Sequence, residues 1–165
     1  MRYLSLLFLV FCLPFLTHAQ SLLSLSVTPT LFEMSAVRGQ VWQSSVKVVN
    51  SNSFPIDIYA NVVNFTPQGE VGRGNFIPVF EELSEGATLA EWIDLAYDKV
   101  TIAPEESEEI PFVVTVPEDA APGGHFAAVM VGTQPPDDGG GKMQVRTSQI
   151  VTSLFFLRIE GDVVE

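Results

Sequence analysis

Cysteine, histidine and positive charge are all scarce in this chain. It has one cysteine, Cys12, two histidines, His18 and His125, and eight Lys and Arg against 20 Asp and Glu, a formal charge of -12. Both Cys12 and His18 fall in the first 19 residues, which read as removable. The remainder then has no cysteine nucleophile, thiolate metal site or disulfide, and must hold together by its apolar core. His125 alone leaves only carboxylates to complete a zinc site, and catalysis through it lacks a nucleophile beside it. No GxSxG elbow occurs. The acidic field, with no cluster of Lys or Arg to reverse it, excludes nucleic acid as a partner. A helical apolar period is also missing.

The removable segment has the layout of a secretory signal peptide. Arg2 gives a positive start, Leu4 to Leu16 is a mostly apolar run, and Thr17-His18-Ala19 supplies small residues at the cleavage site. The run is shorter than the ~20 residues needed to span a bilayer. Cutting between Ala19 and Gln20 leaves residues 20–165, one domain of 146 residues, and loss of Arg2 takes the formal charge to -13. The expected location is periplasmic, wall-associated or extracellular. The abrupt end at Glu165 is the end expected of the first domain of a truncated longer protein.

What is present is strand after strand. Leu23, Leu25 and Val27 alternate with polar residues, Pro29 breaks the strand, and Thr30 to Met34 continues it at an edge. Gly39 turns the chain into a strand over Val41 to Asn50, with Trp42, Val46 and Val48 on one face. The Asn50-Ser51-Asn52-Ser53 cluster predicts a turn, and a strand from Phe54 to Phe65 would complete a hairpin. Pro67 to Asn75 reads as a loop, Phe76 to Phe80 as a short strand and Glu81 to Thr88 as an acidic irregular stretch. Leu89 to Ile93 fits one helical turn or a strand start, and Asp94 to Thr101 is more strand-like. Pro104 to Glu109 reads as a connection. Ile110, Phe112, Val114 and Val116 make the clearest alternation, ended by Pro117. Pro122, Gly123 and Gly124 form a structural turn into a strand over His125 to Gly132, and Pro135 to Gly141 a flexible tip. Lys142 to Ile159 supplies one long strand or two. Seven to nine short strands with almost no helix predict an all-β, immunoglobulin-like antiparallel β-sandwich, with a small barrel or jelly roll as the alternative. Its dry layer should contain Trp42, Ile56, Ile110 and Phe126.

Chemistry is harder to find than fold. Glu81, Glu82, Glu85, Glu91 and Asp94 could flank a glycosidase cleft, but a solvated acidic loop explains them as well. Asp137 to Gly141 lacks alternating calcium ligands. Gly69, Gly72 and Gly74 lack the helix start that cradles phosphate. The reading is therefore of a chain that is not an enzyme and needs no cofactor or metal. Exposed aromatics suit carbohydrate or peptidoglycan. Trp42 shares the core parity, Tyr59 lies off it, and Trp92 either plugs the sandwich or faces outward. Tyr59, Trp92 and His125 are the candidate surface-binding residues.

Three segments carry a resemblance. Ser26-Val27-Thr28-Pro29-Thr30 opens the domain, Val46 to Ser51 ends a strand in a polar turn, and Val114 to Phe126 contains the V-P-x-x-A-x-P-G-G turn. Together they resemble the DUF916-like group of bacterial secreted proteins, which includes cell-surface WxL-interacting proteins. The resemblance implies a first domain similar to immunoglobulin-like and PapD-like sandwiches. It implies a non-enzymatic cell-envelope interaction or scaffold domain that binds a cell-surface protein or peptidoglycan. A periplasmic chaperone-like module using an exposed edge strand is the alternative. That alternative needs two converging cations, for which Arg38, Lys47 and Arg158 are available.

Overall fold

A computed structural model describes residues 23–68, 73–77, 88–134 and 148–161. Ten strands lie among them: β1 (Leu25–Thr28), β2 (Leu31–Ala36), β3 (Val41–Asn50), β4 (Ile56–Gln68), β5 (Arg73–Ile77), β6 (Ile93–Leu95), β7 (Lys99–Ile102), β8 (Ser107–Thr115), β9 (Gly123–Gly132) and β10 (Ile150–Ile159). A single 3₁₀ turn, Leu89–Trp92, leads directly into β6, so both readings of that stretch apply in succession. One sheet runs β1-β3-β8-β6; the other runs β2-β10-β9-β4-β5, with β7 also paired to β4. Every described pairing is antiparallel except β2 with β10, which is parallel. The architecture is the expected immunoglobulin-like sandwich.

Alternation builds the core. Val46 and Val48 on β3, Ile110, Phe112 and Val114 on β8, Ile56, Ile58 and Ala60 on β4, Ala127, Val129 and Val131 on β9, and Phe155, Leu157 and Ile159 on β10 all turn inward and are buried. Phe112 sits at the centre of an aromatic cluster, its ring 5.3 Å from Phe32, 5.4 Å from Trp42 and 5.0 Å from Phe155. Such contacts add to the free energy of area burial by about 0.5–1.5 kcal/mol each.

The first strand serves both sheets. β1 pairs with β3, the chain crosses at Thr28-Pro29, and β2 pairs with β10 in the opposite sheet. Ser153 Oγ donates to Pro29 O at 2.7 Å and Gln149 Nε2 donates to Leu25 O at 3.1 Å, which fixes the crossing from the β10 side. Because β1 reaches only as far as Lys47, residues 41–46 of β3 have no partner on that side among the described residues.

Several local expectations change. The predicted β3–β4 hairpin is a crossing between sheets, since both strands turn apolar faces toward the same interior and so oppose rather than neighbour each other. A buried amide knot holds that crossing. Asn50 Nδ2 donates to the carbonyls of Phe54 (2.9 Å), Ile102 (3.2 Å) and Ala103 (3.0 Å), while its Oδ1 accepts from the Asn52 backbone and side chain. Pro67 and Gly74, read as loop, pair across β4 and β5. Ser107 to Glu109, read as connection, already belong to β8. Phe126 does not enter the main core. Ala127, Val129 and Val131 take the inward parity, leaving Phe126 on the outer face with Val63, Phe65, Ala128, Met130, Leu154 and Phe156. The six-stranded sheet is thus apolar on both faces at β4, β9 and β10.

Candidate functional site

Of the three candidate surface residues, Trp92 and His125 meet while Tyr59 lies apart. Tyr59 is half-buried on the outer face of β4, opposite Gly132 and Lys99. His125 lies seven positions from Gly132 along β9, about 23 Å at 3.3 Å per residue. Trp92 is only 5% exposed, so it belongs to the packing rather than to a binding surface. Its ring lies 4.7 Å from that of His125, whose Nε2 is 2.8 Å from Ala121 O. These contacts make His125 part of the same end plug. Gly123 takes a φ of +123°, a region that favours glycine, while Gly123 and Gly124 already pair with Ile159 and Arg158 in the sheet.

Around Tyr59 the polar groups are mutually engaged. Lys99 Nζ is 3.5 Å from Asp57 Oδ2 and 5.1 Å from the Tyr59 ring centre, and Thr101 Oγ1 donates to Asp57 Oδ1 at 2.6 Å. The Thr101 hydrogen bond, and then the Lys99 ammonium, hold Asp57 below its ordinary 3.8. The Tyr59 hydroxyl, and then the Asp57 carboxylate, hold Lys99 above 10.5. Tyr97 bonds to the Glu109 carbonyl, and burial followed by the Glu108 charge raises its phenol above 10.0.

Of the candidate cleft carboxylates, only Glu91 and Asp94 fall among the described residues. Glu81, Glu82 and Glu85 lie outside the described residues, Glu91 Oε2 accepts the Thr88 N–H at 3.0 Å, and Asp94 is exposed on β6. No group of three or more His, Cys, Asp or Glu able to hold a metal occurs among the described residues. The cations do not meet either. Lys47 and Arg158 point from the outer faces of opposite sheets, and Arg38 Nε donates to Ala120 O at 2.7 Å.

Among the sheet edges without a described neighbour is β2. Leu154 and Glu160 donate their N–H groups to Thr30 O (2.9 Å) and Ala36 O (3.1 Å). In a parallel ladder that register turns the N–H and C=O of Leu31, Glu33 and Ser35 away from β10. No described strand lies on that side. Two grooves flank the edge. An outer one of about 670 Å³ runs from Glu33 and Ser35 across Arg158 and Gly124 to Phe126 and Phe156. An inner one of about 330 Å³ opens between the sheets, where Met34 and Leu157 face Trp42, Val114 and Val116. Proline at position 29 hinted at an edge, but the grooves depend on which strands oppose each other, which no local pattern encodes.

With its leading strand crossing between sheets, this sandwich has a PapD-like immunoglobulin-like fold, as its likeness to solved structures shows. The chain is similar to a structure of the Salmonella enterica SafA pilin in complex with the SafB chaperone (13% identity, TM-score 0.52, 86% of this chain and 57% of that one). It is also similar to the PapD-like domain 7 of human CEP192 (8% identity, TM-score 0.52, 84% and 87%). A family 123 glycoside hydrolase from Clostridium perfringens matches over 28% of its length (12% identity, TM-score 0.55, 86% of this chain). The chain thus spans little more than half of the chaperone-complex chain. No family model and no curated protein sequence match it. At these identities the likeness defines the fold, and it extends the WxL-interacting resemblance no further than the sandwich.

Proposed function

We propose that this chain is an exported, non-enzymatic module that binds another protein by accepting one of its strands at the β2 edge. The observation that carries this reading is the row of outward backbone groups at Leu31, Glu33 and Ser35, which no described strand covers. Unpaired strand edges are ready templates for pairing, and strand addition is a common mode of peptide recognition. Likeness to a chain of a pilin–chaperone complex supports a chaperone-like role over an inert scaffold. The absence of converging Lys47, Arg38 and Arg158 means that edge pairing rather than a clamp of those cations supplies the hold. On this reading residues 1–19 direct export, residues 20–165 form one domain, and the secreted form begins at Gln20.

A photo-crosslinking residue at Glu33 tests the edge in living cells. Protein adducts from position 33, absent from position 113 on β8, which has a strand on each side, are the expected result. Ser35→Pro should remove them, because it deletes an outward N–H while leaving the ladder to β10 intact. Equal adducts from both positions would defeat the reading.

A second reading has its own support. The outer face carries a cluster in which Phe126 and Phe156 pack edge to face at 5.3 Å and Phe65 and Phe156 stack at 6.2 Å. An aromatic surface of this kind suits wall polymer. Sedimentation with purified peptidoglycan at low and moderate salt would favour it, and failure to sediment at either would remove it.

A further inference from the structure

We infer that the strand accepted by β2 is apolar on both of its faces, with branched aliphatic side chains turned inward and aromatic ones turned outward. The inference rests on the edge-pairing reading and adds the chemistry of the partner. Both grooves share Glu33, Met34 and Ser35, so they are the two sides of one strand position. A strand laid along that position alternates its side chains between them.

The inner groove lies between the sheets. Trp42 and the buried Val114 and Val116 face Met34 and Leu157 across it. It opens where β1 has left β3 and crossed to the other sheet, so the sandwich there lacks a layer of side chains from a neighbouring strand. Compact aliphatic side chains extend the existing core. The outer groove is the roomier and more open of the two. At about 4.8 Å between strands, Phe156 on β10 stands roughly 10 Å from an added strand. Ser35 stands in register with Arg158 and Gly124, and Glu33 with Phe156 and Phe126, so a long or aromatic side chain that crosses the short Ser35 lies against Arg158 beside the Phe126–Phe156 pair. Arg158 lines the same groove, and its planar guanidinium suits an aromatic face laid against it.

Charge selects against a second copy of the chain as the occupant. Two β2 strands paired antiparallel would bring Glu33 residues from both copies to one edge, and each copy carries a strongly negative field, -12 for the full chain and -13 without residues 1–19. A neutral or basic partner strand meets no such repulsion.

Blocked nine-residue peptides with identical lysine tails test the inference by titration against the purified chain. The first peptide alternates Val or Ile with Tyr or Phe. The second keeps Val or Ile and replaces the aromatics with Ser. The third keeps the aromatics and replaces Val or Ile with Ser. The fourth is the first with alternate backbone nitrogens methylated. The first should bind, with the second and third at least tenfold weaker and the fourth silent. Arg158→Ala should weaken the first peptide about threefold or more and leave the second unchanged. If the first three bind within threefold of one another, and all are lost in Ser35→Pro, edge pairing stands and the two-groove inference is overturned. If the first peptide fails to bind, or binds Ser35→Pro equally well, edge pairing at β2 itself fails and the inference falls with it. A concentration-dependent dimer of the chain that Ser35→Pro abolishes would assign the edge to a second copy and overturn the inference too.

Discussion

The Asn50 corner and the β2 edge treat the same polar backbone in opposite ways. At the corner, one fully buried amide satisfies three carbonyls with its Nδ2, and its Oδ1 accepts from Asn52. Asn52 in turn bonds both to and from the backbone of Ser24. Three separate connections are tied there, and the chain can change sheets without leaving those carbonyls unpaired. At the edge, the backbone of Leu31, Glu33 and Ser35 is left to solvent, with an apolar groove on either side. The corner is built for permanence and the edge for exchange. Unsatisfied groups are costly only when buried, which lets one fold carry both.

Substitutions should separate the two regions. The largest effect belongs to the layer that both depend on. Phe112→Ala should cost about 3–5 kcal/mol in denaturant unfolding, because it removes a ring packed between Phe32, Trp42 and Phe155. Asn50→Ala comes next, at about 2–4 kcal/mol, since it orphans the carbonyls of Phe54, Ile102 and Ala103 together with the Asn52 donors. Its crosslinking from position 33 should persist at temperatures where it stays folded; loss of both together would erase the distinction between corner and edge. Ser35→Pro should do the reverse, changing stability by less than about 1 kcal/mol while abolishing capture. The smallest effect lies on the outer face at Asp57. Its folded value is lowered, so its contribution is present above 3.8 and disappears as pH falls through the folded value. Because the carboxylate is exposed, the wild type and Asp57→Asn should differ slightly above pH 3.8 and merge in strong acid.

Much of this frame is legible in the sequence. The bounds of β3 and the alternation at Ile110, Phe112, Val114 and Val116 follow from period-two patterning, which works where one face is wet. β9 defeats the same rule. Phe126 to Val131 is apolar at every position because both faces of that central strand are covered, so parity cannot be assigned from the run itself. The false hairpin has a different origin. A short polar linker fits a turn within a sheet or a step between sheets, and Asn50 decides for the step through carbonyls some 50 residues away. The open edge was foreshadowed by Pro29 alone. Tyr59, Trp92 and His125 stand out in the sequence as aromatics or by rarity, and neither property reports which side chains share a surface.

The two tryptophans occupy opposite regimes of this molecule. Trp92 is sealed against His125, whereas Trp42 lines the inner groove beside β2. The protein therefore carries its own optical gauge. An occupant seated between the sheets would dehydrate one indole and leave the other untouched, so a blue shift retained in Trp92→Phe and absent in Trp42→Phe would read out occupancy without any attached label.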